Sequence, residues 1–545
     1  MNKNIRIVVV AIALMLFSFP ATAQNLSPMQ FGFDTCRDGL SRYWAIYNTH
    51  VAAKEAGVDV DYSALANTTI ELTLPSPAPL FIPLTRHNDF YNVLFYVLDT
   101  VSDRYLFRIG DDNYTEINVD PALVDAGDFR SVPELATGEH LLSMNDANPW
   151  VAERLGFGEP AWRMDVLYIV DGRAQNTVVS SYQTEATKMR CYEIPADNEP
   201  KEIKNLHLRR HHLSTHKLCL FSCYFQNNVN ISNISVFTPQ SKPFKHVNNT
   251  ADLVARCQST QEPKLQNLSS KTKYKLLSDA AIYIQTSTNI HCKDIYVDGT
   301  YSIPGRNGYA ISCNNTWNAT FRHVVADGNW GVWGNNNMSN TTLEDCDVNR
   351  FDIHCYGKDV TARRCTFRKK QIQFSSLFGT LRFDSCQFLD CIPVSIRGSY
   401  NAFTPFDIVV NNCYLQATRT HHQLVDFEVR ETKRNSRPEL HDRLLPSIEI
   451  VSLTVDLPDN VRYFDIIQPS GKTKMSKDAF DNDRKIEIKG LYFMKSKKDV
   501  NVRLTSVPLK SDTKKEVIPI RSWQLDAEGK FYESTINFID YKHTN

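Results

Sequence analysis

Four side chains able to move protons or hold charge fall on alternate positions of one short segment: Arg350, Asp352, His354 and Tyr356. In an extended chain alternate residues share a face, so these four line up while Phe351, Ile353 and Cys355 turn the other way. The set suits β-elimination on a uronic acid. That reaction needs a cation to neutralise the carboxylate, a base to take the C5 proton and an acid for the departing oxygen. Arg350 would neutralise, His354 would act as base and Tyr356 would protonate the leaving group, with Arg397 or Lys370 holding a second acidic group. The plainer reading is a solvated face on which Arg350 and Asp352 form an ordinary ion pair. Hydrolysis competes as chemistry. It asks for two carboxylates about 5 Å apart for retention or about 6.5–9.5 Å apart for inversion, and Asp352 with Asp327 is the available pair. Asp327 equally reads as a residue that simply ends a strand.

Nearby residues are of types that hold sugars. Trp330 and Trp333 flank a glycine-rich turn, Asn335 follows, and Gln373 lies beside the same face further along. Indole faces stack on sugar rings, and amides pair with hydroxyls. At least one of the two tryptophans is expected to turn into a core instead. His207, His211, His212 and His216, with Arg209, Arg210 and Lys217, make the one locally basic patch. It has no acidic or cysteine partners of the kind a structural zinc site uses, so it reads as a loop face. No metal ligand set is expected, and Ca2+ stays open as a cofactor with no clear site.

What positions these groups is a repeat, apolar-x-apolar-x-x-apolar-x-apolar. It occurs at Val229, Ile231, Ile234, Val236; at Ile290, Cys292, Ile295, Val297; and at Ala319, Phe321, Val324, Ala326. It returns at Thr341, Leu343, Cys346, Val348 and at Val360, Ala362, Cys365, Phe367. Leu381, Phe383, Cys386, Phe388, then Ile408, Val410, Cys413, Leu415, and finally Ile448, Ile450, Leu453, Val455 complete the series. From Ile295 through Val324, Cys346, Cys365 and Cys386 to Cys413 the steps are 29, 22, 19, 21 and 27 residues. A period near twenty with occasional insertions marks a solenoid, and the two-residue offset reads as two short strands meeting at a bend. Such a coil has room for a third strand, and the segments around 333, 352, 373 and 396 supply it. Stacked coils then set their outward residues in rows about 4.8 Å apart. An antiparallel sandwich, the alternative, would show turn signals every eight to twelve residues and no fixed inward position.

The ends read differently. Lys3 and Arg6 precede an apolar run from Ile7 to Phe19, and Ala21-Thr22-Ala23 has the small-x-small form of a signal-peptidase site. Residues 1–23 are therefore expected to be a cleaved signal, too short to span a membrane, and the product to be exported to the periplasm or beyond. Leu40, Trp44, Tyr47 and Val51 have helical spacing and Gly57 a stop, giving a cap over 24–65. A stretch near 110–150, rich in Asp, Asn and Pro, reads as a loop excursion. Residues 461–545 alternate like further strands, either final coils or a β-rich module shielding the end. With 61 basic and 61 acidic side chains, no bulk charge calls for nucleic acid as a partner. Of the 13 cysteines, Cys346, Cys365, Cys386 and Cys413 share one inward repeat position, which makes them a core column before anything else.

On the export signal, the capping helix and the coils over 66–460, the chain resembles the pectate-lyase-like family of secreted right-handed parallel β-helix proteins. The resemblance implies an all-β solenoid and a carbohydrate-directed role, with polysaccharide or oligosaccharide as partner; separately, no later segment is long and apolar enough to span a membrane, and a monomer is expected. It does not supply a mechanism. No Asp-Asp pair with a Gly-His-Gly is present as in polygalacturonases, since Asp111-Asp112 lacks that context, and no clustered aspartates mark a pectate-lyase calcium site. The expected activity is a lyase on an acidic glycan. The alternatives are a glycoside hydrolase on the same groove or a non-catalytic glycan-binding β-helix.

Overall fold

A computed structural model describes residues 24–76, 79, 81–98, 104–110, 114–146, 163–179, 187–195, 199–210, 218–237, 280–300, 309–328, 333–354, 357–368, 370, 372–374, 377–397, 406–428, 446–470, 486–494, 500–505, 513–525 and 531–543. The expected signal segment, Trp330 and Tyr356 lie outside them, as do His211, His212 and His216.

The chain winds as a parallel β-helix with three faces, and the register makes the repeat explicit. On one face Ile290, Ala319, Thr341, Val360, Leu381, Ile408, Ile448 and Ile486 stand beside one another on successive coils, all in parallel pairing. On the next, Val297, Ala326, Val348, Phe367, Phe388, Leu415, Val455 and Phe493 do the same. These are the second and third sheets. The first, built from the segments between repeat copies, aligns Ile284, Cys313, Asn335, Ile353, Phe374, Ile396 and Phe427. The apolar members of all three rows fill one continuous core. Each coil buries its inward residues only against its neighbours, so stability accumulates coil by coil.

The two-residue offset of the repeat is the bend from second to third sheet. Asp294, His323, Asp345, Arg364, Ser385 and Asn412 occupy it with positive φ of 51–57°. Asn and Asp accept this left-handed conformation at low cost. Cys346, Cys365, Cys386 and Cys413 follow the bend on successive coils, all buried, and every described cysteine is a free thiol.

The N-terminal end is closed by a helix, α1 (Gly39–Ala56). Asp38 caps it by accepting from Ser41 N–H at 2.7 Å, and Gly57 ends it at φ 67°. Its buried stripe differs from the expected one. Tyr43, Ile46, His50 and Ala53 face the first coils, whereas Leu40 and Trp44 are 41% and 37% exposed. Both stripes carry helical spacing, so periodicity alone does not choose between them.

Where the sequence suggests a loop excursion, the structure has a folded insertion. Thr115–Ile117, Thr187–Ile194, Glu139–Asp146, Arg163–Val170 and Arg173–Ala174 pair antiparallel around a core of Phe129, Leu142, Met144, Leu167 and Ile169. It leaves the solenoid after the first-sheet strand Arg104–Ile109 and returns before Lys201–Arg210. Leu141, Val166 and Ile194 on its other face pack on Phe225, which sits at a bend between first and second sheets. Asn315 Nδ2 donates to Ser143 Oγ at 3.1 Å, and Asn337 Oδ1 accepts from Met164 N–H at 3.3 Å. Both asparagines hold the same left-handed bend on later coils, so the insertion lies along one flank of the first sheet.

At the C-terminal end Tyr463–Ser470, Ile486–Ile488, Leu491–Met494 and Asn501–Thr505 continue the three faces. The antiparallel pair Thr513–Leu525 and Phe531–His543 then adds onto the last coil. Among the described residues no helix is long and apolar enough to cross a membrane.

Candidate functional site

The candidate row lies on the first sheet. Ile353 is fully buried in the core column, and alternation puts Arg350, Asp352 and His354 on the other face. The register places Asp352 beside Gly334 on the preceding coil and beside Gln373, then Ser395, then Asp426 on the following ones. Expected as an open row, it is largely covered. Asp352 is 0% exposed and Arg350 is buried, while His354 keeps partial access. Alternation tells which way a side chain leaves its strand, but not what lies over it.

The Asp352 carboxylate is the centre of the cluster. Its Oδ2 takes Arg350 Nη2 at 2.5 Å, His354 Nε2 at 3.0 Å and Arg397 Nη1 at 3.7 Å. Arg350 also donates to Gln373 Oε1. Burial by itself would push the Asp352 carboxyl up. The charges of His354, Arg350 and Arg397 outweigh that, so it is held well below the usual carboxylate range. It is a fixed anion and accepts only. Its Oδ1 is buried with no hydrogen-bonding partner among the described residues.

Among the described residues two guanidiniums contact the one carboxylate of Asp352, and Asp426 is the next carboxylate along the same row. Arg397, whose side chain is 20% exposed, is the cluster's most open cation. Arg397 comes from two coils on, close to Asp352 because two strand spacings amount to only about 10 Å of stacking and the arginine side chain is long. Lys370, the other expected cation, has no hydrogen bond or ion pair to this cluster among the described residues. Its backbone N–H donates to Arg368 O at 2.6 Å.

A residue not read from the sequence completes the cluster. Tyr309 Oη lies 3.2 Å from His354 Nε2, with ring centroids 6.0 Å apart. Tyr309 opens the strand Tyr309–Gly328 two coils earlier and is partly exposed. Finding it from sequence would need the exact register across two coils. The only cue is that it begins the alternation Tyr309, Ile311, Cys313.

Asp327 and His207 fall on other sheets, while Trp333 and Asn335 lie on the first sheet one coil before Asp352. Asp327 is on the third sheet, in register with Asp298. Trp333 is in register with Ile311, and Asn335 with Cys313 and Ile353. His207 is buried in a second-sheet strand, with Nε2 3.4 Å from Asn92 Oδ1. Among the described residues no group of three or more His, Cys, Asp or Glu is arranged to hold a metal ion.

Fold and site together define a parallel β-helix carrying a buried, cation-rich cluster on its first sheet. No family model matches the chain, and no curated protein matches it. Among solved structures it is similar to the tailspike protein gp49 of Pseudomonas phage LKA1, at 11% identity and TM-score 0.47, covering 92% of this chain and 86% of that one. It is also similar to the gp54 tailspike of Acinetobacter baumannii phage AP22, solved with a capsular saccharide, at 10% identity and TM-score 0.39, covering 91% and 81%. A third is an exopolygalacturonase of Thermotoga maritima, at 10% identity and TM-score 0.29, covering 96% of each chain. These are likenesses of general outline. The fold assignment rests on the register of this chain's own strands.

Proposed function

We propose that the chain is an exported polysaccharide-active protein that takes an acidic glycan over its first sheet and cleaves it by β-elimination. The observation that supports this reading is the charge balance around Asp352: one fully buried carboxylate facing Arg350, Arg397 and His354. The excess positive charge suits the carboxylate of a uronic acid, and a neutral sugar would not offset it.

Each group has a role in that chemistry. Arg397 neutralises the substrate carboxylate and so acidifies the C5 proton. Asp352, a fixed acceptor, calls for a proton on His354 Nε2 and leaves Nδ1 as the basic nitrogen that takes the C5 proton. Arg350 holds Asp352 in place and is too buried to bind sugar itself. Asp352 suits hydrolysis poorly, because a carboxylate with no exposure does not reach a glycosidic oxygen and one held ionised has no proton to give. Non-catalytic glycan binding uses the same positive cluster and is separated by experiment.

The test digests an acidic polysaccharide and its carboxyl-reduced form and weighs the fragments. Elimination yields unsaturated fragments one water lighter than hydrolysis would give, from the acidic form only. Fragments carrying the added water contradict elimination, and binding without fragments makes the protein a glycan-holding module.

A further inference from the structure

We infer that Tyr309 is the proton donor to the departing glycosidic oxygen, an assignment that rests on the elimination proposed above. Its hydroxyl is 3.2 Å from His354 Nε2, the nitrogen that also lies 3.0 Å from Asp352 Oδ2. Asp352, between two guanidiniums, only accepts, so Nε2 carries its proton. Toward an N–H the phenol oxygen is an acceptor, and its own proton is turned away from His354. Partly exposed while Asp352 is not, Tyr309 is the group of the pair that a sugar oxygen can approach.

Among the described residues the other groups of the cluster are poor proton donors. Asp352 is ionised, guanidiniums do not give up protons in proteins, and Gln373 has none to transfer. When Tyr309 loses its proton, the oxyanion that forms shares the single Nε2 N–H with Asp352 Oδ2, a donor positioned where charge develops in the transition state. His354 thus serves the reaction from both nitrogens, taking the C5 proton at Nδ1 and supporting the phenolate from Nε2.

The step balances. His354 Nδ1 takes the C5 proton, and the C5–H electron pair becomes the C4=C5 double bond. The C4–O4 bond breaks with its pair on O4, which takes the phenolic proton of Tyr309. Solvent then removes the proton from Nδ1 and returns one to the Tyr309 oxyanion. Nothing is oxidised or reduced by an outside reagent.

The experiment compares the wild-type chain, Tyr309→Phe and His354→Ala on two kinds of probe. One is a panel of polygalacturonate, polyglucuronate and polymannuronate. The other is a uronide whose O4 carries a nitrophenyl group, which departs without needing a proton. Tyr309→Phe is expected to slow the polysaccharide reaction by about 10²–10⁴-fold and to leave the nitrophenyl reaction within about tenfold of wild type. His354→Ala is expected to slow both. Retained nitrophenyl elimination also shows that the variant is folded. Equal loss on both probes, or no loss on either, overturns the assignment of Tyr309 while leaving the elimination reading standing. A wild-type chain that makes no unsaturated product from either probe removes the reading and this assignment together.

Discussion

The Asp352 carboxylate lies 3.0 Å from His354 Nε2 and is itself closed off from solvent. An imidazole with partial access is thereby oriented by an anion with no solvent exposure. The anion in turn is held by Arg350 beneath it and by Arg397 from two coils further on. The solenoid makes this possible with few residues. Stacking brings positions 309, 352, 354, 373 and 397 to one place without any long loop having to order itself.

Asp352→Asn keeps the shape and removes the charge. The buried Arg350 and the partly exposed Arg397 lose their anion, and truncating one partner of a buried pair costs about 3–5 kcal/mol. The variant is expected to unfold at lower denaturant with an unchanged far-ultraviolet circular dichroism spectrum in its native state. Its amide also no longer dictates which nitrogen of His354 carries the proton. Cleavage is therefore expected to fall by about 10²-fold or more even where the fold persists.

Stability should depend on acid in two separable ways. The folded Asp352 carboxyl sits below its unfolded value, so its contribution is complete above about pH 4 and is lost as pH falls through the folded value. His50 is buried against Tyr62, Phe90 and Phe107, which lowers its imidazole to about 3 from an ordinary 6.5. That penalty begins below about pH 6.5, where the unfolded chain takes up the proton, and grows until the folded group titrates. Denaturation midpoints followed from neutral pH downward should fall in both ranges. His50→Gln should flatten the first decline, and Asp352→Asn the second.

Arg397 can be changed without opening the core. Arg397→Ala is expected to leave the unfolding midpoint nearly unchanged, because its side chain is partly exposed and its distance to Asp352 is long. Cleavage of an acidic glycan should drop by about 10²–10³-fold, the scale of losing one charge-stabilising donor. Arg397→Lys should recover only part of it, since a point charge does not reproduce a planar fork.

The face of α1 is testable by stability alone. Ile46→Ala is expected to cost about 2–5 kcal/mol, as for a buried aliphatic side chain, while Leu40→Ala should stay within about 0.5 kcal/mol. The opposite order would restore the stripe that spacing first suggests.

The comparison between sequence and structure turns on what each kind of pattern encodes. The inward row from Ile295 to Leu453 and the cysteine column were legible because a solenoid repeats one burial environment at one sequence position. The bend was legible too, since left-handed residues such as Asp345 and Asn412 sit in the two-residue offset of each copy. Arg350, Asp352 and His354 were found as a set because they alternate on one strand. Their cover was not, and neither was Tyr309, since nothing in 349–356 reports what approaches from two coils away. The insertion is not legible as a folded unit because turn-forming Asp, Asn and Pro residues dilute its short strands. Leu141 and Val166, which point at Phe225, give no hint in sequence of that distant partner.

Elimination at His354 is read directly from the ultraviolet absorbance of unsaturated uronide as the wild-type chain and His354→Ala act on acidic polysaccharides. The chromophore is expected to grow with the wild-type chain and its rate to fall by about 10²-fold or more in His354→Ala. New reducing ends without the chromophore, or an undiminished rate in His354→Ala, would contradict it.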